Sequence, residues 1–417
     1  MSLTVRPRKA LERWTLPVGL ALLANAGCSA EADGPGEAEL PIEDAHPADP
    51  NLPPQPTIPP ACATLDATRA VRSTGDPKTD GLPIYDPSAL DTAAIQAGID
   101  ACAASLAPGE KGSVRLRVNA ADCGKVAFVS GPLFLRAGVT LWIDQGVTLF
   151  AAQDPRLYDR TPGSCGTDAN NTSSGCLSLI NVNGTSATAL LADAGVMGKG
   201  VIDGLGGEPM VGGFNGNPNG TWWDVAQHAL VAGFSHSNPR LVDVTLADRF
   251  TLYRVILRNS PKFHVGLESD DFLVWGVTVQ TPSRPVNSVG RKLTPRYARN
   301  TDGIDPSDSW NGTIAYSRIS VGDDEIAIKC GKYHLNTVAN ADQPSCRNLT
   351  VAHNHFGTGH GMSIGSETNG GPDDDSHLRI GMEGVRDPVT DQVLQWGLHV
   401  YDLTIDGGLG TGGAPDV

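Results

Sequence analysis

The sequence predicts an all-β fold, a solenoid in which each coil adds strands to parallel sheets. Three observations predict it. From about residue 112 the chain is a series of short apolar runs separated by Gly, Asn, Asp and Pro. Many of these runs come in pairs that recur roughly every 20 to 40 residues. Equivalent positions also repeat at a narrow interval: Val255 to Val277 is 22 residues, and Asp302 to Asp323 is 21. The composition agrees, with 49 Gly, 30 Pro and only 18% charged residues in 417. A net charge of −15 argues against nucleic acid as a partner, because phosphate binding needs basic surface.

Taken in order, the chain opens on an export signal. Arg6, Arg8, Lys9 and Arg13 precede an apolar run over residues 14–24, too short to span a bilayer. Two processing routes stay open over residues 1–28: cleavage after a small-residue site, or lipoprotein processing with a lipid anchor on Cys28. Either places the protein outside the cytoplasm, secreted or tethered to the cell surface. Residues 29–60 are Pro-rich and acidic and are expected to form a disordered linker. The remainder, residues 61–417, is expected to be one β-solenoid domain acting as a monomer.

That domain begins with an amphipathic helix. Asp91 is placed to cap it, and Ile95, Ile99, Cys102 and Leu106 recur at helical spacing. A short helix there covers the open end of the solenoid, which otherwise exposes unpaired backbone groups. The strand-like runs follow, among them VTLWID (139–144), LYRVIL (252–257), LVWGVTV (273–279), LTVAHNHF (349–356) and HVYDLTI (399–405). GVMGKGVIDG lacks the spacing and following helix of a dinucleotide fingerprint. Trp222-Trp223 suits either stacking on a sugar or packing under a loop. Among the eight cysteines, Cys165–Cys176 and Cys330–Cys346 are expected local disulfides; Cys102–Cys123 is a further option, leaving Cys62 over.

Chemistry concentrates in three blocks: NTDGID (300–305), GDDEIAIK (322–329) and GHGMSIGS (359–366). Each is a polar tip followed by alternating apolar residues, and the tips carry Asp302, Asp323, Asp324 and His360. Taken singly, such residues are turn formers. Asp324 to His360 is 36 residues, but removing the loop-like insertion 331–345 leaves 21, one coil. Adjacent Asp323 and Asp324 point to opposite faces of a regular strand, so a turn or bulge at Gly322 is expected. Three carboxyls close together disfavour full ionisation, and one should hold its proton. Residues 281–299 add Arg284, Arg291, Lys292, Arg296 and Arg299 with no acid, a candidate loop for attracting a polyanion.

These blocks, with GVIDG ending at Gly204 and with Trp222-Trp223, resemble glycoside hydrolase family 28, the polygalacturonases, bacterial endo-polygalacturonases above all. The resemblance implies a right-handed parallel β-helix and inverting hydrolysis of the α-1,4 bonds of polygalacturonate (pectin). It implies that Asp323 is the general acid and that Asp302 and Asp324 position and deprotonate water. It implies that His360 is the active-site histidine, and that Asn300, Gly359 and Gly361 help to bind substrate. Lys329 could meet a substrate carboxylate. No metal or cofactor is implied. Inverting enzymes hold the two working carboxyls ~6.5–9.5 Å apart, which sequence spacing alone does not establish.

One part of the pattern is missing. Family members carry an Arg-Ile-Lys block one coil after the histidine, and Arg379-Ile380-Gly381 is the nearest match here. It lacks the lysine and precedes HVYDLTI, so the C-terminal coils are expected to be absent and activity impaired. Two other classes stand beside the hydrolase: a pectate lyase-like eliminase using Ca²⁺, and a non-catalytic surface protein that binds pectin.

Overall fold

The computed structural model describes residues 49–84, 86–329, 346 and 348–365, and the short strands His377–Ile380, Val385–Arg386, Val393–Gln395 and Val400–Thr404. The expected signal (1–28) and most of the expected linker lie outside these residues.

Three sheets run along the molecule, and the chain visits them in turn. The first, of ten strands, starts with Ala61–Asp66. The second, of seven, starts with Ala127–Ser130. The third, of eight, starts with Leu133–Phe134 and ends with Met362–Ile364. The pairings that build these coils are parallel, so each inward position repeats as a column down the stack. In the first sheet Val114, Leu141, Val196, Leu252, Val274, Ile314 and Val351 lie in register and are buried. In the third, Ile180, Val242, Val265, Ile304 and Ile326 do the same. Aliphatic side chains stacked on their own kind remove apolar surface from water at every coil, at about 25 cal/mol per Å². This is why the apolar runs recur at coil length.

The N-terminal helix forms as expected, over Thr92–Ser105 (α1), with Ile95, Ile99 and Cys102 buried. Asp91 sits at its N-cap but makes no capping bond to the helix. Its carboxylate accepts from Val129 N (2.8 Å) and Thr68 Oγ1 (2.7 Å) instead. Thr92 Oγ1 accepts from Gly131 N (2.8 Å), and Gln96 both accepts from Phe134 N (2.8 Å) and donates to Phe134 O (3.0 Å). The helix therefore satisfies the edge backbone of the first coil with its own side chains.

Four expectations change. Cys102 pairs with Cys62, because α1 packs against the strand Ala61–Asp66 and brings two residues 40 apart together. Cys62 is thus not left over, and the Cys102–Cys123 option falls. Cys165–Cys176 forms as expected; Cys330 lies outside the described residues, although Cys346 is disulfide-bonded. Residues 49–60 are no free linker. They run along the outer face of the first sheet, where Leu52 and Ile58 pack on Met197, Tyr253, Trp275 and Tyr316. Gln55 Nε2 donates to Tyr253 Oη (2.7 Å), and Asp49 Oδ2 lies 2.9 Å from His353 Nε2.

A second helix, Trp222–Ala232 (α2), was not expected. Thr221 and Asp224 close a capping box and Gly233 ends it in the left-handed region (φ 71°). Both tryptophans, its first two residues, are buried, with Trp223 Nε1 donating to Ser260 O (2.9 Å), so the packing reading of this pair holds. Lastly, the strand Val400–Thr404 forms but runs antiparallel to His377–Ile380. Between them, Val385–Arg386 and Val393–Gln395 pair with each other, also antiparallel.

Candidate active site

The third sheet's register places the predicted residues. Val265 pairs with Ile304, Ile304 with Ile326, and Ile326 with Met362. Two residues earlier on each coil stand Phe263, Asp302, Asp324 and His360, one per coil, just before the strands begin. Neighbouring coils are ~4.8 Å apart, so these side chains form one short column at the strand entrance.

Asp323 joins that column from the side. Asp323 and Asp324 precede the strand Ile326–Ile328 rather than lying in it, and strand alternation does not separate them. His360 Nδ1 lies 3.3 Å from Asp323 Oδ1 and 3.3 Å from Asp324 Oδ1. Asp323 also accepts from Asn300 N (3.2 Å) and Asp324 N (3.1 Å), while its carbonyl accepts from His360 N (3.0 Å). Gly322 is required, but for a different reason from the expected one. A Cβ there would overlap the Ala298 carbonyl and come within 2.5 Å of the Pro295 carbonyl. Close approach of two loops, not a bulge, fixes this glycine.

Asp302 is the buried member, only 4% exposed. Burial first, and the neighbouring Asp305 second, raise its pKa well above the usual carboxylate range. Asp302 is thereby shifted toward its protonated form, whereas the general acid implied by the resemblance is Asp323. Lys329 opposes the rise: its Nζ lies 3.3 Å from Asp302 Oδ2 and 3.0 Å from Asp305 Oδ2. The Lys329 ammonium also sits 3.9 Å from the centre of the Phe263 ring. These contacts are with internal carboxylates and an aromatic face.

The other predicted residues shape the loop. Asn300 takes a left-handed conformation (φ 54°) and its Oδ1 lies 3.2 Å from His236 Nε2. Gly361 is also left-handed (φ 83°); its carbonyl accepts from the backbone N of the buried Glu325 (2.9 Å), whose carboxylate accepts from Gly361 N. A Cβ on Gly359 would overlap that carboxylate. His360 is left 64% exposed in its side chain. Gly359→Ala is expected to push Glu325 and the His360 loop apart and cost about 1–3 kcal/mol. Thermal denaturation checks this, and a variant as stable as the parent would remove the packing role.

Sequence reading missed several neighbours. His264 is fully buried, with Nδ1 2.9 Å from Asp302 O and Nε2 2.7 Å from Thr281 Oγ1, and burial pushes its pKa down to about 4. Its only signal was a histidine inside the strand-like run FHVGL. The basic segment divides. Arg284 pairs with Glu208 (3.0 Å) and Arg291 with Asp224, while Arg296 and Arg299 line a cavity of about 260 Å³ beside Asp323, Gly359 and His360.

Comparison with known proteins agrees with this geometry. The sequence profile of glycosyl hydrolases family 28 matches residues 163–381. A polygalacturonase of Ralstonia nicotianae is 39% identical over 339 residues, covering 78% of this chain and 59% of that protein. An endo-polygalacturonase of Pectobacterium carotovorum subsp. carotovorum is 39% identical over 284 residues, covering 68% and 60%. The chain thus spans about six-tenths of these relatives' length. The solved structure of a polygalacturonase from Erwinia carotovora ssp. carotovora superposes with a TM-score of 0.58 at 36% identity, over 77% of this chain and 69% of that one. The shared architecture is the right-handed parallel β-helix. On these grounds the chain is a member of glycosyl hydrolases family 28.

Proposed function

We propose that the protein hydrolyses α-1,4-glycosidic bonds of polygalacturonate by an inverting acid/base mechanism. The observation that carries this reading is the Asp302–Asp324–His360 column with Asp323 at its side, opening beside Arg296 and Arg299. Asp323 donates its proton to the glycosidic oxygen. Water attacks the anomeric carbon from the opposite face and gives its proton to the Asp302/Asp324 pair. Lys329 sets the pH at which Asp302 becomes able to accept one. His360, in reach of both adjacent aspartates, keeps them oriented. The arginines attract the polyanion. Export, by signal cleavage or by a lipid on Cys28, fits a substrate too large to enter a cell.

Incubating the chain with polygalacturonate should release saturated reducing ends, and the anomer first formed should be inverted by NMR. Unsaturated, ultraviolet-absorbing products lost on chelation would overturn this in favour of an eliminase. Tight binding with no new reducing ends would favour a pectin-binding protein.

A further inference from the structure

The aspartate of the GVIDG motif, Asp203, stands outside the catalytic column and is buried. It closes the strand Val201–Asp203 of the second sheet, which pairs with Ile256–Arg258, and that strand in turn with Thr278–Gln280. Asn259 and Thr281 directly follow these last two strands, so they occupy one position on successive coils. Both are buried as well. The Asn259 amide Nδ2 donates to both carboxylate oxygens of Asp203 (3.1 and 3.0 Å) and to Ser283 Oγ (2.7 Å), while its Oδ1 accepts from Ser283 N (2.9 Å). Held in this way in the left-handed region (φ 49°), Asn259 donates its backbone N–H to Thr281 Oγ1 (2.7 Å).

The next link crosses to the third sheet. Thr281 Oγ1 lies 2.7 Å from Nε2 of the fully buried His264, and His264 Nδ1 lies 2.9 Å from the Asp302 carbonyl oxygen. A carbonyl only accepts, so the ring proton is on Nδ1. A neutral ring then offers Nε2 as an acceptor, and the Thr281 hydroxyl donates to it. Burial pushes the His264 pKa down to about 4, which keeps the ring neutral near neutral pH. Every donor direction from Asn259 N to Asp302 O is thereby fixed. The backbone N–H of His264 donates to the same carbonyl (2.8 Å), so one residue holds Asp302 twice. Asp302 stands two residues ahead of the strand Ile304–Pro306 and two after the left-handed turn at Asn300, where strand pairing alone gives little constraint.

We propose that His264 is a positioning residue for the hydrolysis. Its imidazole, oriented through Thr281, Asn259 and Asp203, fixes the main chain at Asp302 and hence the distance from the Asp302 carboxyl to the attacking water. The proposal rests on the hydrolase reading for what Asp302 does. His264 is fully buried and acts only through the carbonyl of Asp302. A displacement of about 1 Å at a reacting group costs on the order of 10²-fold in rate. The GVIDG aspartate thus has a task at a distance, as the far anchor of this chain of bonds.

Two amide variants separate the two ends of the ring. Asparagine places its amide nitrogen where Nδ1 stands and keeps the bond to Asp302. Glutamine reaches the place of Nε2, keeps the contact with Thr281 and loses the bond to Asp302. On polygalacturonate, His264→Asn should turn over about 10–100-fold faster than His264→Gln, with KM and melting temperature alike, since each variant loses one buried bond. Equal kcat in the two, or a difference that only follows melting temperature, would overturn the positioning role. A milder pair answers where neither histidine variant folds. Thr281→Ser keeps the hydroxyl and should turn over about tenfold faster than Thr281→Val, and equal rates would overturn the proposal. The tautomer is read without any substrate: in the chain carrying isotope-labelled histidine, nitrogen NMR should find the His264 proton on Nδ1 at neutral pH. A proton on Nε2 instead would also overturn it. The hydrolase reading fails differently. A parent that releases no reducing ends loses the enzyme and the positioning role with it, whereas an active parent with equal variants loses the positioning role alone.

Discussion

Asp323→Asn should lower turnover on polygalacturonate by about 10²–10⁴-fold, the range expected for losing a general acid. Asparagine keeps the shape and one acceptor oxygen, so the bonds from Asn300 N and Asp324 N can persist. What disappears is the proton for the leaving oxygen. Stability should stay within about 0.5 kcal/mol of the parent, because the side chain stands at a groove wall rather than in the apolar columns. Initial rates of reducing-end release, with a melting curve as control, check both halves. A variant with more than a tenth of parental turnover would remove Asp323 from the acid role. The effect on kcat should exceed that on KM, since the interaction removed is made in the transition state.

Lys329→Met should cost about 3–5 kcal/mol near neutral pH, because it leaves Asp302 and Asp305 buried without their shared cation. The loss should depend on pH with a definite sign. Asp302 has a folded pKa above its unfolded one, so its contribution to stability is present below the unfolded value of about 3.8 and is lost as pH rises through the folded value. Removing Lys329 raises the folded value further. The variant should therefore be nearly as stable as the parent near pH 4 and progressively worse above it. Urea denaturation at the two pH values measures this, and equal losses at both would refute the charge argument. If Asp302 accepts a proton during hydrolysis, the acid limb of the kcat/KM profile should also move to higher pH. A role for Lys329 in gripping substrate would instead raise KM without any pH-dependent loss of stability.

The sequence made the column legible because a parallel stack turns spacing into adjacency. Asp302 and Asp324 are one coil apart with no insertion between them. His360 could be placed only by setting aside residues 331–345, and the pairing of Ile326 with Met362 supports that subtraction. The meeting of His236 with Asn300 was not legible. It depends on loops that leave the stack at α2 and before the strand Ile304–Pro306, and loop lengths carry no period. The role of Gly322 was misread because a contact with another loop leaves no trace in local backbone preference. The Cys62–Cys102 bridge escaped for a similar reason, since helix-on-strand packing brought it together and not a short closing loop. Asp302 illustrates the limit most sharply. Sequence reading expected one of three carboxyls to be pushed toward its protonated form; the push on Asp302 comes first from burial, which spacing does not reveal.

The segment over residues 49–60 has a consequence for how the molecule comes apart. A solenoid held by nearest-neighbour contacts melts from its ends inward, coil by coil, because no coil touches any but the next. Here Asp49 reaches His353, 304 residues away, while Pro59 O accepts from Ser113 Oγ near the opposite end of the same sheet. Gln55 is fastened to Tyr253 between them. The chain thus carries its own lengthwise splint. Fraying of the coils bearing Asp324 and His360 requires first lifting a segment anchored near the beginning, so their loss is coupled to that of the first coils.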